Sequence, residues 1–149
     1  MVDVAEKAET LRSARACVVV RIGARARDAL QRAGGPKGDP FLTAQLAGIA
    51  AAKQTSTLIP LAHPIPIAAV DVQLEWSDDD AIAITSFVRT VARTGVEMEA
   101  MVAATIAALT IYDMCKAFDK SISIESAYLL EKTGGKSGSW KRTTGDRDV

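Results

Sequence analysis

The sequence predicts an α+β protein with a ferredoxin-like split βαβ arrangement, in which an antiparallel sheet carries its helices on one face. Three observations predict it: the element order strand, helices, strand, strand, helix, strand; a hairpin signal at Asp78-Asp79-Asp80; and a long apolar helix ahead of the last strand. At 149 residues the chain is long enough to bury a hydrophobic core without needing disulfides or a structural metal. We therefore expect one domain over residues 1–149.

The first elements follow from periodicity. Residues 1–13 are polar and predict a loosely attached N-terminal arm. Residues 14–22 place alternate apolar side chains on one side, which predicts the first strand. Residues 23–33 predict a helix whose arginines face water, and a loop over 34–38 follows.

Capping signals define the next helix. Asp39 suits an N-cap and Pro40 suits the first turn, so a helix is expected over about 40–54. Residues 55–66 contain three prolines and predict irregular structure. Alternation over 68–76 then predicts a half-buried strand.

The second half completes the sheet. Residues 81–91 return from the aspartate turn as the hairpin partner, and the long helix is expected over about 96–119. Residues 122–130 predict the final strand. Residues from about 134 to 149 are polar and rich in glycine, which predicts a flexible C-terminal tail.

Composition excludes several classes of protein. Lys+Arg and Asp+Glu each total 18, and no basic stretch with stacking aromatics appears, which argues against nucleic-acid binding. The N-terminus lacks the apolar core of a signal peptide, and no uncharged apolar run reaches membrane-spanning length. Cys17 and Cys115 have no metal-ligand spacing and suit small buried residues in a reducing compartment. We expect a cytoplasmic protein without a membrane partner.

The long helix is apolar or small at nearly every position, yet it keeps Asp113 and Lys116. They stand at i, i+3 and share a face. An acid and an amine held together in apolar surroundings are candidates for proton transfer. A structural ion pair is an equally good interpretation of these residues alone. A helix that is apolar all round also predicts a partner subunit over Ala103, Ala104, Ala107 and Ala108.

Three other groups have a functional and a structural interpretation. Lys37 precedes a helix N-terminus and suits a phosphate, or it is a solvated loop lysine. Lys53 closes the second helix, where a cation favours the helix dipole whether or not it binds a ligand. His63, the only histidine, suits a hydrogen bond to a purine or phosphate, although a lone histidine is more often structural.

Gly134-Gly135-Lys136-Ser137 is not a P-loop. That motif needs a glycine where Leu130 stands and a helix afterwards, and residues 139–149 have no helical period. A lysine-bearing tail that folds over phosphates remains an option.

Several long motifs, in order, closely resemble the cyclic pyranopterin monophosphate synthases, the molybdenum cofactor biosynthesis protein C family. The resemblance covers about residues 1–138 and rests on Lys37-Gly38-Asp39, Leu61-Ala62-His63-Pro64, Gly95-Val96-Glu97-Met98-Glu99-Ala100, Thr110-Ile111-Tyr112-Asp113-Met114-Cys115-Lys116 and Leu129 to Gly138. It departs from the family at three positions: Ala62 replaces a usual cysteine, Pro40 a valine and Gln45 an arginine. The resemblance implies the same α+β fold.

The resemblance also implies the site. By its motifs, Asp113, Lys116 and Lys37 are catalytic. The substrate-binding residues it implies, together with two lysines suited to phosphate, are Leu61, Ala62, His63, Met98, Glu99, Lys53 and Lys132. We expect no bound metal and no cofactor, although a divalent cation with the triphosphate is not decided by the sequence.

The implied function is that of a lyase. It converts (8S)-3′,8-cyclo-7,8-dihydroguanosine 5′-triphosphate to cyclic pyranopterin monophosphate and diphosphate in molybdenum cofactor biosynthesis. A non-catalytic nucleotide- or pterin-binding oligomer of the same fold is the alternative, and a metal-dependent phosphohydrolase ranks below it because no ligand cluster is visible.

The family also implies a homohexamer, a trimer of dimers, with active sites at subunit interfaces. If Glu99 and Asp113 both contact one nucleotide, as the resemblance implies, helix geometry favours a shared site. Glu99 and Asp113 are 14 residues apart, which leaves them on nearly the same face but about 21 Å apart along the axis. Two antiparallel helices related by a two-fold axis bring Glu99 of one subunit toward Asp113 of the next.

Overall fold

A computed structural model describes residues 1–33 and 37–143 of the chain. Its elements are β1 (Thr10–Arg21), α1 (Gly23–Ala33), α2 (Pro40–Ala52), α3 (Thr55–Leu58), β2 (Ala69–Trp76), β3 (Ala81–Ala92), α4 (Glu97–Cys115), β4 (Ser123–Thr133) and β5 (Trp140–Lys141). The expected loop at 34–36 and the tail at 144–149 lie outside the described residues.

The strands form one antiparallel sheet in the order β2-β3-β1-β4-β5. Helices α2 and α4 pack together on one of its faces, and α4 contacts β1, β3 and β4. The first four strands thus have the order of a split βαβ fold. The predicted ferredoxin-like α+β class is confirmed.

Several predicted segments were wrong, including α4, which ends at Cys115 rather than at about residue 119. The N-terminal arm ends at residue 9 rather than 13, because Thr10 to Ser13 extend β1 and pair with Ala92 to Arg89 of β3. The segment after α2 contains the short helix α3, which ends before the first proline of that stretch, Pro60. Trp140–Lys141 pairs with β4 as an edge strand inside the segment predicted to be a tail.

Helix α4 is the core helix of this one chain. Small side chains allow α2 to approach it closely: a Cβ on Gly48 would lie 2.8 Å from the Ala103 carbonyl oxygen. The four alanines predicted to need a partner subunit are fully buried within the chain, namely Ala103, Ala104, Ala107 and Ala108. That argument for a partner was wrong, because α2 and the sheet already cover them.

Within the described residues, α4 alone is long and apolar enough to span a membrane by length and composition, and more than half of it is buried inside the fold. Core helices of folded domains meet the same criterion. Its exposed apolar side chains are Met98 and Leu109, about half exposed.

Candidate active site

The three predicted catalytic residues meet at the carboxyl end of α4. The Asp113 carboxylate receives the Lys116 ammonium on Oδ1 at 2.8 Å and the Lys37 ammonium on Oδ2 at 2.7 Å. The i, i+3 pair expected from the sequence is therefore present. Lys37 is 76 residues away from Asp113 in the chain, and the fold brings it to this pair.

The electrostatics of this cluster fix its protonation. Hydrogen bonds from Lys116 and Lys37 lower the pKa of Asp113 to about 2. The same contact with Asp113 raises the pKa of Lys116. The sequence predicts apolar surroundings for the Asp113–Lys116 pair. That prediction was wrong for the single chain, because all three side chains are about half exposed: 50% for Asp113, 51% for Lys116 and 52% for Lys37. At neutral pH the cluster holds one carboxylate between two ammonium groups.

The start of α2 positions Lys37. Asp39 caps the helix by accepting hydrogen bonds from the Phe41 amide at 2.8 Å and the Leu42 amide at 3.1 Å. Gly38 precedes it with a positive φ of 98°, a conformation that glycine adopts without strain. Because the Asp39 carboxylate already accepts from the Phe41 and Leu42 amides, these two amides are not available to an anion.

The Leu61-Ala62-His63 segment lies elsewhere, between α3 and β2. Leu61 is 70% exposed, and Ala62 and His63 are half-buried. The imidazole Nε2 of His63 is 2.9 Å from the Val2 carbonyl oxygen. The histidine therefore contacts the N-terminal arm in the unliganded chain.

Glu99 is the one buried carboxylate among the described residues, 3% exposed in the first turn of α4. Burial raises its pKa, and the neighbouring Glu97 charge adds to the effect. Met98 beside it is 42% exposed. A carboxyl group that holds its proton more tightly than usual suits a contact with a substrate heteroatom.

Lys53 and Lys132 lie at the same end of the fold as Glu99. Lys53 is the exposed C-cap of α2, whose Gly48 packs between Ala103 and Ala107 of α4. Since α2 begins beside Asp113 through Lys37, it runs antiparallel to α4. Lys132 pairs with Ala14 near the start of β1, where β3 ends and leads into α4.

The ten predicted residues therefore divide into two groups. The catalytic group, Lys37, Asp113 and Lys116, lies at the carboxyl end of α4. The predicted binding group lies at the amino end: Lys53, Leu61, Ala62, His63, Met98, Glu99 and Lys132. The segment after α3 belongs to this end because Pro66 and Ala68 hydrogen-bond Thr90 and Arg89 at the end of β3. Along α4 the two ends are about 21 Å apart. One chain does not bring them together.

Gln45, where the sequence departs from the family, has a structural contact. Its side-chain amide donates to the Val72 carbonyl oxygen at 2.9 Å and ties α2 to β2. The glutamine that replaces the usual arginine thus connects the helix to the sheet. It also lines a shallow cavity of about 340 Å³, together with Asp39, Phe41, Leu42 and Leu74.

Two arginines, Arg12 and Arg93, lie at the amino end of α4. Arg93 donates to the Ala5 carbonyl oxygen at 2.8 Å and lies 3.8 Å from Glu9. Arg12 donates to the carbonyl oxygens of Ala92 and Arg93. The sequence predicts that residue 12 lies in the N-terminal arm, whereas in the structure Arg12 is in β1 and pairs with Thr90 of β3.

No group of three or more His, Cys, Asp or Glu side chains with metal-binding geometry occurs in the part of the chain that the structure describes. The absence of a metal and of a cofactor stays a prediction.

Replacing Glu99 with glutamine should change how stability depends on pH. The folded state holds the Glu99 proton more tightly than the unfolded chain does, so wild-type stability falls as pH rises above the ordinary glutamate value of 4.5. Glu99→Gln cannot ionise and escapes that loss. Its melting temperature relative to wild type should rise between pH 4 and pH 8, whereas the exposed-site variant Glu75→Gln should show no such trend. A constant difference across this range would contradict the buried, proton-retaining glutamate.

Comparison with known proteins agrees with the motifs. The family model described as the MoaC family matches residues 1–135. Proteins from Listeria welshimeri, Listeria monocytogenes and Listeria innocua, each named cyclic pyranopterin monophosphate synthase, are 52% identical to the chain over 141 residues. Each match covers 95% of this chain and 88% of the relative's length.

Proposed function

The chain belongs to the MoaC family, and we propose that it converts (8S)-3′,8-cyclo-7,8-dihydroguanosine 5′-triphosphate to cyclic pyranopterin monophosphate and diphosphate in molybdenum cofactor biosynthesis. The observation that carries the proposal is the Lys37–Asp113–Lys116 cluster, formed by residues far apart in sequence. The names of relatives 52% identical over most of the chain support the same reaction.

The cluster suits the proton transfers of this reaction. Opening the imidazole ring of the purine and closing the pterin ring both require protons to be delivered and removed. Lys116, whose pKa is raised by Asp113, is a proton donor at neutral pH, and the amine it leaves is a proton acceptor. Asp113, with a pKa of about 2, is too weak a base near pH 7 and instead holds both ammonium groups in place.

The phosphate step needs positive charge. A substrate hydroxyl attacks the α-phosphorus, its proton passes to a base, and the bond to the β-phosphate breaks so that diphosphate leaves with the bonding electrons. Lys37 is placed to stabilise the charge that develops on phosphate oxygens. Lys53 and Lys132 supply further positive charge at the binding end of the fold. No electron leaves the substrate in this scheme, so it assigns no redox cofactor.

We also propose that the active site is shared between subunits of a homohexamer built as a trimer of dimers. The support is the separation of the two groups of site residues along α4, about 21 Å. A two-fold axis places the catalytic end of one chain against the binding end of its partner, twice per dimer. We further propose that the enzyme acts in the cytoplasm.

A direct assay separates this function from its alternatives. The protein is incubated with the cyclised nucleotide, and both diphosphate and the fluorescent oxidised pterin are measured. Formation of both products is the expected result. Binding without either product would favour the non-catalytic nucleotide- or pterin-binding oligomer, and phosphate release without pterin would favour a phosphohydrolase.

The pH dependence tests the role of Asp113. Asp113→Asn removes the charge that raises the pKa of Lys116 and leaves two ammonium groups close together, so the Lys116 pKa falls. If protonated Lys116 is the donor, the loss of activity at high pH should begin at a lower pH in the variant. Diphosphate release is measured from pH 6 to about pH 11.5, because the Lys116 pKa in wild type is raised above its ordinary value of 10.5. The profile of the exposed control Asp71→Asn should match that of wild type. If the high-pH loss of activity in Asp113→Asn began at the same pH as in wild type, Lys116 would not be the proton donor.

A further inference from the structure

The turn that follows β4 lies directly on the start of β1. Gly134 and Gly135 have positive φ angles of 90° and 71°. A Cβ on Gly134 would overlap the Leu11 carbonyl oxygen and lie 3.2 Å from the Arg12 Cα. A Cβ on Gly135 would overlap Arg12 Nη1 and lie 2.9 Å from its Cζ. Glycine is therefore required at both positions, because the Leu11 carbonyl and the Arg12 side chain leave no room for a Cβ.

Arg12 is held from the other side by the end of β3. Its Nε donates to the Ala92 carbonyl oxygen at 2.9 Å and its Nη2 to the Arg93 carbonyl oxygen at 3.2 Å. The remaining nitrogen, Nη1, faces Gly135. One guanidinium is thus hydrogen-bonded to the end of β3 and packed against the turn after β4, and its planar fork fixes the direction of all three nitrogens.

The turn carries Lys136 and contacts Lys132 at the end of β4. The Lys132 ammonium hydrogen-bonds the Ser137 hydroxyl, and the Gly138 amide donates to the Gly135 carbonyl oxygen at 3.1 Å. Lys136 is exposed within the same turn. A displacement of Gly135 therefore displaces Ser137 and, through it, the Lys132 side chain.

We propose that Arg12 is a positioning residue, which clamps the Gly134–Gly135 turn so that Lys132 and Lys136 are presented together to the polyphosphate of the substrate. Arg12 acts through the turn and not by touching the substrate. The identity of the polyphosphate rests on the proposed function, whereas the clamp itself is a property of the unliganded chain.

The first measurement needs no turnover. Hydrogen exchange of the peptide covering residues 134–138 is compared in wild type, Arg12→Ala and Arg12→Lys. Lysine keeps the charge but cannot donate from three fixed nitrogens, so both variants should exchange faster in this turn, by about tenfold, while the centre of α4 stays unchanged. Wild-type exchange in Arg12→Ala, or full recovery by lysine, would overturn the clamp.

The second measurement uses glycine variants, which also cover the case in which Arg12→Ala folds poorly. Gly135→Ala forces the guanidinium aside. Gly138→Ala is the matched control, because its φ is also positive, 63°, but nothing lies within 4 Å of the added Cβ. Calorimetry with inorganic tripolyphosphate should show about tenfold weaker binding for Gly135→Ala and less than a twofold change for Gly138→Ala. Equal effects would overturn the proposal.

Steady-state kinetics then separates positioning from catalysis. With the cyclised nucleotide, Arg12→Ala should raise KM about tenfold and leave kcat within about threefold, because binding to the polyphosphate is lost equally in the ground and transition states. A large fall in kcat at unchanged KM would make Arg12 a catalytic residue and overturn the proposal. If wild type does not turn over this substrate, the proposed function is wrong. Hydrogen exchange and tripolyphosphate binding still test whether Arg12 holds the turn in place.

Discussion

Replacing Lys116 with alanine should lower kcat by about 10²-fold or more, with a much smaller change in substrate affinity, as expected for a general acid or base. The lysine lies at the carboxyl end of α4 with its ammonium 2.8 Å from Asp113. Its role in the proposed reaction is to deliver protons, which affects the chemical step. Single-turnover product formation, together with calorimetric binding of the substrate, separates the two contributions.

Lys120 offers a matched control, since it is an exposed lysine four residues further along the chain that belongs to neither group of site residues. Lys120→Ala should keep wild-type kcat and KM. Lys116→Ala with normal single-turnover chemistry and lost binding would instead make the lysine an anchor for phosphate.

Local patterns in the sequence were sufficient for the order of the four long strands and of α1, α2 and α4, and for the Asp113–Lys116 pair. Both depend on spacing along one segment: alternation for strands, capping at Asp39 for α2, and i, i+3 geometry on α4. The predicted order of strands and helices already restricts the sheet to few topologies. The ferredoxin-like fold follows from such local signals.

Contacts between distant segments could not be predicted in the same way. Lys37 reaches Asp113 across 76 positions and Arg12 reaches Ala92 across 80. The polar start of β1 has weak strand periodicity, and its pairing with β3 makes it a strand. The error at Ala104 has the same origin: an apolar helix can be covered by another helix of its own chain, and Gly48 allows α2 to come close enough.

In the proposed dimer, each active site takes its catalytic end from one subunit and its binding end from the other. Glu99→Ala and Asp113→Ala proteins should each be nearly inactive. When the two are unfolded and refolded together, random pairing makes half of the dimers mixed, and each mixed dimer has one intact site. About a quarter of all sites should then be active.

The control is the pair Asp113→Ala and Lys116→Ala, two changes at the same end of α4. A mixed dimer of these chains has a defect in both sites, so no activity should return. The decisive measurement is therefore the activity of co-refolded Glu99→Ala and Asp113→Ala proteins, with mixed oligomers verified by mass spectrometry. Recovery of about 25% of wild-type activity is the result that a shared site predicts. Recovery near zero in verified mixed oligomers would contradict it and place the whole site within one chain.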